Sequence, residues 1–105
     1  KMEEKATKAK NKGNELYAAG DYLGAVEQYD LAADRALECG DTGAAIVETR
    51  LASLSNKVQC LLMLSDFGMA LATAEEALTS PALEDHPKLH VKVLYRKARA
   101  LAALE

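Results

Sequence analysis

A chain of 105 residues is long enough for one domain with a genuine core and hardly for two. Half of it is apolar, carried mainly by alanine and leucine, and only four tyrosines and one phenylalanine are aromatic, which favours helices over a β-sandwich. A net charge of −3 argues against a general nucleic-acid binder, no apolar run approaches membrane-spanning length, and no signal-peptide pattern opens the chain.

The first residue is Lys1, so the chain reads as a piece of a longer protein. From about Glu3 to Ala19 the sequence is polar, with Ala9, Leu16 and Tyr17 inward, and this first helix stops at Gly20, a good C-terminal cap. Asp21 serves as N-cap of a second helix, which sets Ala25, Tyr29 and Ala32 on one face and runs to about Cys39 before Gly40. Asp41 or Thr42 starts a third, unusually long helix that reaches about Leu64, with Leu54, Val58, Leu61 and Leu62 inward. Ser65-Asp66 caps a fourth helix with Phe67, Ala70, Ala74 and Ala77 inward, ending near Ser80-Pro81. The stretch from Ser80 to Pro87 holds both prolines and is the one clear loop. A fifth helix fills Lys88 to Glu105, with Val91, Leu94, Ala98 and Leu101 inward. No segment alternates like a strand, so the expected fold class is all-α.

An internal repeat organises these helices. Gly20-Asp21-Tyr22, followed by Ala25, Tyr29 and Ala32, matches Ser65-Asp66-Phe67, followed by Ala70, Ala74 and Ala77, at identical internal offsets. Such self-similarity marks stacked helical hairpins. Polar residues occupy related places in this repeat on three separate helices. Lys10 and Asn14 lie four residues apart and share a helix face, Lys92 and Arg96 do the same, and Asn56 stands on the third helix. The five are expected to converge on one groove, to face solvent there, and to hold an anion such as a peptide's carboxylates.

The run Gly13-Asn14, Tyr17, Gly20-Asp21-Tyr22, Ala25, Tyr29, Ala32 closely resembles the tetratricopeptide repeat (TPR). Gly13 lets the paired helices approach, Ala25 and Ala32 keep them near, and Tyr22 and Tyr29 fill the space between hairpins. The second repeat departs from the pattern, with Val58 in place of the glycine and Ala74 in place of the aromatic. The spacing between hairpins is also longer by about eleven residues, absorbed by extra helix around Cys39 to Leu51. The resemblance covers nearly the whole chain as one domain, 1–105. It implies hairpin one at about 3–39, hairpin two at about 42–79, and only the first helix of hairpin three at about 88–105.

Lys10-Asn11-Lys12-Gly13-Asn14, Ser55-Asn56 and Lys92-Val93-Leu94-Tyr95-Arg96 further resemble the carboxylate-clamp subgroup of that family. The resemblance implies a cytoplasmic co-chaperone module that binds the C-terminal Glu-Glu-Val-Asp of heat-shock protein 70, heat-shock protein 90 or both. It implies Lys10, Asn14, Asn56, Lys92 and Arg96 as carboxylate ligands, with Tyr17 and Gln59 as secondary peptide contacts. The chemistry suits that ligand. A terminal aspartate carries two carboxylates, cations give charge-assisted bonds about twice as strong as neutral ones, and asparagine amides both donate and accept.

Other candidates carry less. His86 and His90 lack a third metal ligand, and Glu84-Asp85-His86 reads as a solvated loop. Cys39 and Cys60 have no metal-ligand spacing and read as reduced thiols of a cytosolic protein, and no activated nucleophile is visible. No enzyme, cofactor or metal site is expected in this chain. A structural scaffold that binds through other faces is the alternative, as is the TPR part of an immunophilin-type peptidyl-prolyl isomerase with its catalytic domain elsewhere. Because hairpin three lacks its second helix, Val91, Leu94 and Leu101 would also leave an outer apolar face, so either further helix follows or the last helix self-associates.

Overall fold

The computed structural model describes residues 2–40 and 43–105 and contains five α-helices: α1 (Met2–Ala18), α2 (Tyr22–Glu38), α3 (Ala44–Met63), α4 (Phe67–Leu78) and α5 (Pro87–Leu104). No strand occurs among the described residues, and the fold is all-α. The boundaries fall within a few residues of those read from the sequence. The Asp41 and Thr42 expected to start α3 lie outside the described residues, and Gly43 occupies the N-cap. The stretch expected to be loop holds a 3₁₀ turn over Pro81–Asp85, because Leu83 is buried there and ties the segment to the core.

Two turns of the same construction reverse the chain. After α1, Gly20 has φ +83°, Gly20 N–H donates to Tyr17 C=O at 3.0 Å, and Asp21 N–H donates to Leu16 C=O at 2.8 Å. After α3, Ser65 has φ +60°, and the corresponding bonds run from Ser65 to Leu62 at 3.1 Å and from Asp66 to Leu61 at 2.9 Å. This pair of bonds closes a helix C-terminus through a left-handed residue. Each turn then hands over to an aspartate cap. The Asp21 carboxylate accepts from Gly24 N–H at 2.9 Å, and that of Asp66 from Met69 N–H at 3.4 Å. The internal repeat therefore appears in the backbone as well as in the letters.

Each helix packs on the next in the chain, and α1, α3 and α5 also touch in turn, so the odd-numbered helices share one layer. The main core joins Ala25, Tyr29, Leu54, Val58, Leu61, Ala70, Ala74 and Val93, among others. The extra length of α2 and α3 builds a second, smaller cluster in which Ile46 packs on Ala6 and Ala36. Gly13 is buried against Tyr29, and an added Cβ would lie 2.7 Å from Cε1 and 2.8 Å from Cδ1 of that ring.

The inward face expected of α5 is corrected. Val93 and Ala100 are buried and Leu89 packs on the core, whereas Val91, Leu94, Ala98 and Leu101 are exposed. The helix carries two apolar stripes, and periodicity alone does not say which one meets α4. Tyr17 is likewise exposed rather than inward; its ring lies 5.4 Å from that of Tyr22, tilted by 59°.

Glycine-to-alanine substitutions separate packing from helix propensity. Gly13→Ala should lower the unfolding free energy by about 1–3 kcal/mol through overpacking against Tyr29. Gly68→Ala, with nothing within 4 Å of the added carbon, should be neutral or slightly stabilising. Urea midpoints of the two variants test the contrast, and equal effects would remove the close approach at Gly13 as an explanation.

Candidate functional site

A cavity of about 220 Å³ opens on the layer shared by α1, α3 and α5, lined by Asn14 and Tyr17 from α1, Tyr29 from α2, Asn56 and Gln59 from α3, and Arg96 from α5. Five of the seven residues singled out in the sequence meet there. Lys10 and Lys92 do not line it. Lys10 is half-buried one turn before Asn14, and Lys92 is exposed and borders a neighbouring depression with Glu48, Ala52 and His86.

Hydrogen bonds fix the orientation of the cavity's polar groups. The hydroxyl of Tyr29 donates to Asn14 Oδ1 at 2.6 Å, and Asn56 Nδ2 reaches the same oxygen at 3.4 Å. With Oδ1 occupied twice, Asn14 keeps its Nδ2 hydrogens as donors for a ligand, and Asn56 keeps its Oδ1 as an acceptor. Burial pushes the Tyr29 hydroxyl up to about 12, so it stays a donor over the whole physiological range.

Arg96 is anchored rather than free. Its Nη1 donates to both the backbone oxygen and the hydroxyl of Ser55, each at 2.8 Å, and Ser55 itself is buried. The expectation that all five side chains face solvent therefore fails for Arg96, and Lys10 and Asn56 are half-buried as well; Asn14 and Lys92 are exposed. Burial lowers the pKa of Arg96, but a guanidinium remains charged, and Nε and Nη2 keep their donors for an incoming oxygen. Burial also raises the Cys60 thiol to about 11, which keeps it protonated and unreactive at neutral pH.

Three other cations of this region are engaged elsewhere. Lys57 pairs with Asp30 at 2.5 Å, Lys97 with Glu75 at 3.9 Å, and Arg50 with Glu76 at 3.3 Å. Arg96 is thus the guanidinium presented to the cavity, and its neighbours are neutral amides and phenols. The arrangement can hold a small anionic group by donors from Arg96 and Asn14 while Asn56 accepts from a backbone N–H. No activated nucleophile lines it, and the described residues contain no cluster of three metal-ligating side chains.

Sequence reasoning overlooked two contributors. Tyr29 reads as a filler between hairpins, yet its hydroxyl sets the Asn14 amide. Ser55 reads only as the small residue before Asn56, yet it holds Arg96. The available signal was a hydroxyl on an otherwise apolar face, since a buried O–H requires a partner.

The chain matches no family model, no curated protein and no solved structure. What the site can do therefore rests on its own geometry.

The burial of the Tyr29 hydroxyl is testable by pH. A pKa raised from 10.0 to about 12 means the folded chain holds the proton more tightly than the unfolded one. That stabilisation is complete below the unfolded value and is lost as pH rises through the folded one. Tyr29→Phe should cost about 0.5–1.5 kcal/mol at neutral pH. The gap between the two chains should then narrow as pH rises from 10.0 toward about 12. Parallel urea titrations at several pH values check this, and a gap that stays constant would show that the hydroxyl is not desolvated by folding.

Proposed function

We propose that the chain is a peptide-binding module of the TPR carboxylate-clamp type, a cytoplasmic co-chaperone element rather than an enzyme. Its ligand is the free C-terminus of an acidic peptide such as the Glu-Glu-Val-Asp end of the seventy- and ninety-kilodalton heat-shock chaperones. The observation that carries this reading is the convergence of Asn14, Asn56 and Arg96, from three different helices, on one cavity. Their free donors and acceptor match a carboxylate with its adjoining backbone N–H, and Tyr17 and Gln59 complete the wall for secondary contacts.

Lys10 and Lys92 act from the rim. Each stands one helical turn before a cavity residue, about 6 Å along the axis, within reach of a lysine side chain. They supply long-range attraction and engage a second carboxylate of the terminal aspartate. No described helix is long and apolar enough to cross a membrane, which is compatible with a cytoplasmic role. The 20-residue length of α3 also suits membership of an immunophilin-type protein whose catalytic domain lies elsewhere.

Amidating the peptide C-terminus removes one of the held carboxylates. The acid form should bind more tightly than the amide by about 1.5–3 kcal/mol, the range for a hydrogen bond to a charged group. Equal affinity by calorimetry would contradict the clamp and favour a scaffold that binds through other faces.

Asn56→Ala and Arg96→Ala should each weaken binding of the acid peptide at least tenfold, about 1.4 kcal/mol. Arg96→Ala should also lower stability because it strips Ser55 of its partner, whereas Lys88→Ala should change neither. Added salt should weaken binding through screening at the rim. Fluorescence anisotropy at two ionic strengths reads the affinities and urea titration the stabilities, and unaltered affinity in both cavity variants would rule out the cavity as the site.

A further inference from the structure

Two side-chain contacts tie α3 to α5 and leave a gap between them. At one end Arg96 Nη1 donates to Ser55, and at the other His86 Nδ1 lies 3.2 Å from Glu48 Oε2. Glu48 and Ser55 are separated by about two turns of α3, roughly 10 Å along its axis. Ala52 stands midway between them, and its methyl group is too short to fill the seam. A depression of about 530 Å³ results, to which Ala52 contributes from α3 and Pro87, Leu89 and Lys92 from α5. It adjoins the cavity, because Ala52 is one helical turn before Asn56 and Lys92 one turn before Arg96.

The lining says what chemistry fits. Ala52 and Leu89 are half-buried and supply apolar surface. Lys92 is exposed beside them, and no carboxylate among the described residues is paired with it. Glu48 is engaged by His86, and further along the seam Asp85 and Lys88 offset each other in charge. Apolar surface next to one unpaired cation matches a side chain with an apolar stem and a carboxylate at its tip.

We infer that this depression is the subsite for the side chain of the ligand's last residue, and that the small size of Ala52 makes glutamate, not aspartate, the preferred residue there. The inference rests on the carboxylate-clamp reading of the cavity. With the α-carboxylate on Arg96 and Asn14, the side chain of the same residue leaves the cavity along the α3–α5 seam. The methylenes of glutamate then lie against Ala52 and Leu89 while its carboxylate meets Lys92. Aspartate is one methylene shorter, so it gives up apolar contact to reach the same cation. Ala52 carries no binding group, yet it determines specificity by the room it leaves.

Four peptides with the same upstream residues, ending in glutamate, aspartate, leucine or glutamate amide, test this by fluorescence anisotropy. The glutamate peptide should bind about threefold or more tightly than the aspartate one, the gain from burying one methylene. It should exceed the leucine peptide by about threefold, and Lys92→Met should erase that second advantage. Ala52→Leu, at a half-exposed position, should reverse the order of glutamate and aspartate while keeping the circular dichroism of the parent chain. Should that variant fail to fold, the peptide series on the parent chain decides alone. Aspartate binding as tightly as glutamate, or more tightly, would overturn the subsite, and the clamp would stand if the amide still binds more weakly than the acid. Leucine binding more tightly than glutamate would overturn it in favour of a purely apolar subsite. Equal affinity of glutamate acid and amide would remove the clamp and the subsite together.

Discussion

The contact of Tyr29 with Gly13 and Asn14 is the constraint on which the rest of the structure depends. The aromatic ring lies so close to α1 that only a glycine fits at position 13, and one residue further on its hydroxyl bonds to the Asn14 side chain at 2.6 Å. A single side chain from α2 thereby sets the spacing of hairpin one and the orientation of a polar group at the cavity. Through Asn14 Oδ1 the same bond extends to Asn56 on α3, so the relation between hairpins is also tied to it. A buried polar network of this kind favours one arrangement because each alternative leaves a partner unsatisfied.

Ser55 plays the matching part on the other wall. It is buried on α3 and accepts twice from Arg96 Nη1, which draws a charged side chain of α5 across the α3–α5 junction. Desolvating a guanidinium costs free energy, and two short bonds to Ser55 offset part of it. The remaining donors are thereby held ready before any ligand arrives, which reduces the ordering cost of binding. Pre-set donors on Arg96 and Asn14, with an acceptor on Asn56, give the cavity a defined chemical preference in spite of its modest size.

Much of this was legible in the residues. Gly20-Asp21 and Ser65-Asp66 announced the two turns, and the structure gives them near-identical bonds, because a left-handed residue followed by an aspartate cap is a local device. Helices α1 to α4 followed from one dominant apolar stripe each. For α5 the reading failed, because Leu89, Val93 and Ala100 form one apolar stripe and Val91, Leu94, Ala98 and Leu101 another. Choosing between them depends on where α4 and the buried Leu83 lie, which is tertiary information. The meeting of Asn14, Asn56 and Arg96 was legible from their register in the repeat. The roles of Tyr29 and Ser55 were not, since nothing local shows which distant atom satisfies a buried hydroxyl.

Tyr29 acts on the cavity through Asn14, and a double-mutant cycle between the two residues measures that coupling. Unfolding free energies of the parent chain, Tyr29→Phe, Asn14→Ala and the double variant give the coupling without any ligand. A coupling of about 0.5–1.5 kcal/mol is expected, since either substitution alone already removes the shared bond. Effects that simply add, to within about 0.3 kcal/mol, would contradict it and leave Tyr29 as a packing residue alone.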